Sequence, residues 1–128
     1  MPGYPNFKMI ENFVAFEKPI LEEFASHFPE ISAVLMVQIS NITACERLFE
    51  GAGPCSTFTL NKNCPPFPLG TKLEPLTLFL SDIDFLLHGA SVTLFFINSK
   101  IDILDVATFE EDWPKGRIPL SYKISWVD

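Results

Sequence analysis

The chain is poor in the side chains from which most catalytic and metal sites are assembled. Its two histidines, His27 and His88, stand far apart and outside any HExxH or HxH context, which is too few for most zinc sites. The three cysteines, Cys45, Cys55 and Cys64, are widely spaced and form no CxxC pair, which argues against a disulfide framework and a structural zinc. An odd number leaves a thiol free, and Cys45 and Cys55 are the pair that a hairpin would allow to face each other. No serine has GxSxG flanks. The glycines of Glu50-Gly51-Ala52-Gly53-Pro54 come without the GKS, GKT or GxGxxG of a phosphate cradle. Asp82 and Asp84 make a DxD that lacks the glycine and distal glutamate of a calcium loop. No catalytic, cofactor-binding or metal-ligating residue is therefore assigned, and the chain is expected not to be an enzyme and to need no cofactor. Long apolar runs are missing too: Ile31–Ile39 and Leu76–Leu80 fall far short of a membrane span. Met1–Glu11 lacks the basic-then-apolar order of a signal peptide, so the expectation is a cytoplasmic protein that stays out of membranes.

What the chain does have is apolar bulk and negative charge. Its 128 residues are 48% hydrophobic, enough to sustain one core, and a single domain over residues 1–128 is expected. Thirteen phenylalanines against two tyrosines and two tryptophans make that core one of rings without polar handles. The net charge of −7, with a pI near 4.7, disfavours direct contact with nucleic acid or anionic lipid and favours basic protein surfaces. Between Glu74 and Asp112 lie eight acids against Lys100 alone, a surplus of seven that equals the excess of the whole chain.

The stretch Ser91–Trp113 organises the rest. Val92, Leu94 and Phe96 alternate with Thr93, Phe95 and Ile97, and both sets are rich in β-branched or aromatic side chains, predicting a central strand covered on both faces. Asn98-Ser99-Lys100 breaks the run, and Ile101–Phe109 returns as the second arm of a hairpin. Ile101 and Ile103 share a face with Asp102 between them, and Leu104-Asp105-Val106 then shifts the apolar phase, predicting a bulge or a strong twist. The arm ends in Glu110-Glu111-Asp112. The candidate partner-binding residues are the acids Asp102, Asp105, Glu110, Glu111 and Asp112, with Phe109 and Trp113 as flanking apolar anchors.

Upstream, Phe7, Ile10, Phe13 and Val14 have helical spacing, and a second helix is predicted from Lys18 or Pro19 to about His27, with Ile20, Leu21, Phe24 and Phe28 as its stripe. Phe28-Pro29-Glu30 stops it, since a residue before proline is pushed out of the α region. Ile31–Ile39 leans towards strand, and with Asn41–Phe49 reads as one long bent strand or two short ones. Ser56–Leu60 pairs with the strand before the glycine turn. Asn61–Pro75, with Pro65, Pro66, Pro68 and Pro75, must cross the core irregularly, anchored by Phe67 and Leu69. Leu76–Leu80 is a further strand, and Ser81–Gly89 a helical turn or bent continuation. Leu120, Tyr122, Ile124 and Trp126 make a one-sided terminal strand with Lys123 guarding its edge. The fold class is α+β: one or two N-terminal helices packed on a mainly antiparallel sheet of about five to seven strands.

At the hairpin the chain resembles the small acidic bacterial immunity proteins of contact-dependent growth inhibition systems, which are encoded beside secreted toxins. The residues that carry the likeness are Val92–Ile97, Lys100–Val106 and Trp113-Pro114: a VTLFFINSKI strand, an ILDV acidic strand and a Trp-Pro turn. The resemblance implies an immunity protein that binds and neutralises a cognate toxin domain with a basic surface, a nuclease foremost; the chain itself is expected as a monomer or homodimer, with the choice left open. Two alternatives stay open: a cytosolic interaction module or subunit with another partner, and a small ligand-binding domain or enzyme built on a Phe-lined pocket.

Overall fold

Proline placement divides the N-terminal helices. In the computed structural model, which describes residues 10–126, helix α1 (Glu17–His27) carries Pro19 in its first turn, where the missing N–H costs nothing. Ile20, Leu21, Phe24 and Ala25 are buried beneath it. Phe28, at φ −117° and ψ 86°, leaves the helical region as a residue before proline must, and Pro29 then opens helix α2 (Pro29–Ser40).

Helix α2 overturns the strand expected at Ile31–Ile39. Its buried residues Ile31, Leu35, Gln38 and Ile39 follow helical spacing, and Glu30 in the first turn suits the helix dipole. The β-branched content that suggested a strand is a weak preference overridden by packing. Residues 11–16 form turns rather than a helix, with Asn12 at φ 73°; they still bury Phe13 and Phe16. Phe7, part of the helical pattern expected there, lies outside the described residues.

The strands are β1 (Ile42–Glu50), β2 (Gly53–Leu60), β3 (Leu76–Ser81), β4 (Ala90–Ile97), β5 (Lys100–Thr108) and β6 (Lys123–Ser125). They form one sheet in the order β1-β2-β5-β4-β3-β6 with every pair antiparallel, so the α+β expectation holds, with two helices and six strands among the described residues. Register places Arg47, Ser56, Leu104, Leu94 and Leu76 in one cross-strand row facing the helices. The next row, Leu48, Cys55, Asp105, Thr93 and Thr77, faces the other way.

Among the described residues only the first of these faces is covered, which corrects the view of β4 as buried on both sides. Ala90, Val92 and Leu94 are buried, whereas Phe95 and Ile97 stand exposed and Phe96 is half-buried against Phe67. The expected bulge exists, but nearer the hairpin turn than Leu104-Asp105-Val106: Phe95 pairs with Ile103 and Phe96 with Ile101, leaving Asp102 as the extra residue. Ile101 therefore turns inward with Leu104 and Val106, and Ile103 turns outward with Asp105 instead of sharing the face of Ile101.

The segment 61–75 crosses without regular structure, as its prolines require. Phe67 is buried there, whereas Leu69 is fully exposed and anchors nothing. The return to β4 depends on Gly89, at φ +82°, where a Cβ would lie 2.4 Å from the Leu80 carbonyl oxygen. The terminal strand is shorter than its alternation suggests, because Leu120 is exposed and only Lys123–Ser125 pairs with β3. Lys123 does stand at that sheet edge, 3.1 Å from Asp82.

Candidate partner-binding surface

The acids grouped in the linear chain do not form one patch. Glu74 sits beside Lys72, Asp82 beside Lys123, and Asp84 accepts a hydrogen bond from the Leu120 N–H. Glu111 is also committed: its carboxylate accepts the N–H groups of Leu87 at 3.2 Å and His88 at 2.6 Å, holding the β3–β4 connection against the end of β5. Glu110 and Asp112 differ in this respect. Glu110 is exposed, at φ 57°, and Asp112 is exposed where the chain turns away from the sheet.

Of the two apolar anchors expected there, Trp113 belongs to the core. It is 3% exposed, its ring lies edge-on to Phe85 at 5.1 Å, and its Nε1–H donates to the Arg117 carbonyl. A buried indole with a satisfied N–H offers no contact surface. Phe109 remains accessible, stacked on Phe79 at 6.0 Å on the uncovered side of the sheet.

Asp102 and Asp105 are brought by β5 to that same uncovered side, beside two carboxylates the sequence reading passed over. Strand β1 turns Glu46, Leu48 and Glu50 outward while Cys45 and Arg47 point inward. Across the sheet Leu48 adjoins Cys55, and Cys55 adjoins Asp105; one row along, Glu46 adjoins Thr57, Ile103 and then Phe95. Leu48 is 67% exposed, Ile97 56% and Phe95 38%, so apolar side chains stand in water among acids. The alternation Glu46-Arg47-Leu48-Phe49-Glu50 before a glycine turn was the available signal. It was obscured because the inward set includes an arginine.

The electrostatics of this face are strained. Partial burial, then the charge of Glu50, push the Asp105 carboxyl above its ordinary range, although a hydrogen bond with Cys55 works the other way. The Cys55 thiol is raised by burial and then by Asp105 and Glu50. Cys45 faces the core instead, so the two cysteines lie on opposite sides of the sheet and cannot bridge; all three are free thiols.

Beneath the sheet the buried polar groups are satisfied and structural. Glu17 meets Arg47, and its Oε2 also accepts the Ser56 hydroxyl at 2.8 Å. Gln38 bonds to the backbone of Pro65, Ser99 and Ile101. A cleft of about 430 Å³ between α1 and α2 is lined by Phe13, Val14, Met36 and Ile39 with Lys18 and Glu22 at its rim. Among the described residues no three His, Cys, Asp or Glu side chains gather as a metal site, and no helix is long and apolar enough to cross a membrane. No family model, curated protein or solved structure matches the chain.

Proposed function

We propose that this chain is an immunity protein: it binds a toxin domain with a basic surface, foremost a nuclease, and neutralises it through its acidic surface. The observation that carries the reading is the placement of the β5 acids. Asp102 and Asp105 lie on the side of the sheet away from the helices, and the strand runs on to exposed Glu110 and Asp112. A surface of this sign speeds and orients encounter with a basic groove and disfavours a nucleic-acid partner. Its resemblance to growth-inhibition immunity proteins at Val92–Val106 supplies the class of partner.

The test is to look for a large secreted protein encoded beside this chain and to measure binding of its C-terminal domain, in catalytically inactive form, by titration calorimetry at two salt concentrations. Salt-sensitive binding with loss of toxin activity is the expected result. A basic partner that is not a toxin is the reading that remains if that domain is ignored.

A further inference from the structure

The sheet is covered on one side by α1, α2 and the segment 61–75, and its other side carries exposed apolar side chains. Its two middle rows, Leu48-Cys55-Asp105-Thr93-Thr77 and Glu46-Thr57-Ile103-Phe95, contain two carboxylates, Asp105 and Glu46, and no lysine or arginine, and Glu50 stands outward at the end of β1. Among the described residues of the sheet, the cations on this side stand at its margins: Lys100 at the hairpin turn, opposite Ile97, and Lys123 on β6, beside Asp82. Arg47, the cation of β1, is turned inward to Glu17.

We propose that the open face of the sheet across β1, β2, β5 and β4 is the centre of the interface, and that it takes a protein surface presenting arginine or lysine amid apolar side chains. The proposal rests on the immunity reading and moves the centre of binding from the hairpin's end to its face. Leu48, Phe95, Ile97 and Ile103 supply apolar area, and Glu46, Glu50 and Asp105 supply the countercharge. The stems of long cationic side chains pack on the first set while their heads reach the second. Mutual repulsion of Glu50 and Asp105 is relieved when a cation sits beside them, so the face is most comfortable when occupied.

Cys55 is a native reporter in the middle of this face, because Cys45 and Cys64 are buried. In the free protein, a cationic methanethiosulfonate reagent should modify Cys55 several-fold faster than an anionic one at low salt, the ratio shrinking in Glu50→Gln/Asp105→Asn. A ratio near unity in the wild type overturns the proposal without reference to any partner.

With the inactive toxin domain added, Cys55 should be protected, and Leu48→Arg and Thr57→Arg should each weaken binding by about tenfold or more. Circular dichroism checks their folding, and Leu48, exposed on an edge strand, tolerates the change best. Undiminished binding by both variants, with Cys55 still reactive in the complex, overturns the face as the interface and leaves the immunity reading standing. Absence of binding by the wild type overturns that reading and the face with it.

Discussion

Glu17, in the first turn of α1, and Arg47, in the middle of β1, form a two-point ion pair under the sheet, with Oε1 2.6 Å from Nη2 and Oε2 2.7 Å from Nε. Ser56 on β2 donates to the same carboxylate, so one buried glutamate fixes the helix to two strands. Removing one partner leaves the other charge without compensation. Arg47→Met should therefore cost about 3–5 kcal/mol in urea unfolding, whereas Glu17→Leu/Arg47→Met should recover much of that loss. Equal stability of the single variant and the wild type would mean that α1 is held by its apolar face alone.

The same cluster governs thiol chemistry. Burial, and then the charge of Glu17, push the Cys45 thiol up to about 12, although Arg47 works the other way. At pH 8 the protein should take up one equivalent of iodoacetamide, slowly and at Cys55, with Cys45 and Cys64 reacting only on unfolding. Peptide mapping reads this directly, and early labelling of Cys45 would contradict its burial.

Gln38 plays the corresponding part for α2. Its amide N–H groups donate to the carbonyls of Pro65 and Ser99 at 3.0 and 3.1 Å, and its oxygen accepts the Ile101 N–H at 2.9 Å. It thereby joins a helix, the proline-rich crossing and the hairpin turn. Gln38→Leu keeps the volume but orphans the Ile101 N–H and leaves the Ser99 carbonyl with the Phe67 N–H alone, and should cost about 1–3 kcal/mol by the denaturant midpoint.

The β4–β5 turn carries a correctable strain. Asn98 and Ser99 both have positive φ, 52° and 62°, the pattern of a two-residue hairpin turn in which glycine is the easier second residue. Ser99 contributes only backbone bonds, its carbonyl accepting from Phe67 N–H and Gln38. Ser99→Gly should raise stability by about 0.5–1 kcal/mol, seen as a higher midpoint with an unchanged slope.

These contacts also mark what the sequence could and could not disclose. Alternation and turn residues made the hairpins β1–β2 and β4–β5 legible, and the apolar phase shift at Leu104-Asp105-Val106 betrayed a bulge that the structure places at Asp102. Helix α2 was missed because Ile31, Val34, Val37 and Ile39 are β-branched, and only their neighbours Leu35 and Gln38 complete the helical stripe. The burial of Trp113 and the commitment of Glu111 to the Leu87 and His88 amides depend on partners distant in the chain, which no local pattern announces. For that reason reversal of Glu110 and Asp112 tests the surface charge cleanly, while reversal of Glu111 also loosens a loop.

Asp105→Asn separates folding from binding. Burial and Glu50 raise the folded-state value of Asp105, so over the interval above the usual carboxylate value, roughly 4, the native state holds more protons than the unfolded state. In that interval stability falls as pH rises, because ionising Asp105 costs more in the folded protein. The asparagine variant removes this slope. It should unfold at a higher temperature than the wild type at neutral pH, with the advantage shrinking towards pH 3, where both forms are uncharged at this position. Against the toxin domain the same substitution should slow association and flatten its salt dependence, since it deletes countercharge from the open face. Thermal melts across pH, paired with association rates at two ionic strengths, read the two effects independently. A stability difference that ignores pH would show that Asp105 ionises there without penalty, and unchanged association would remove its charge from the interface.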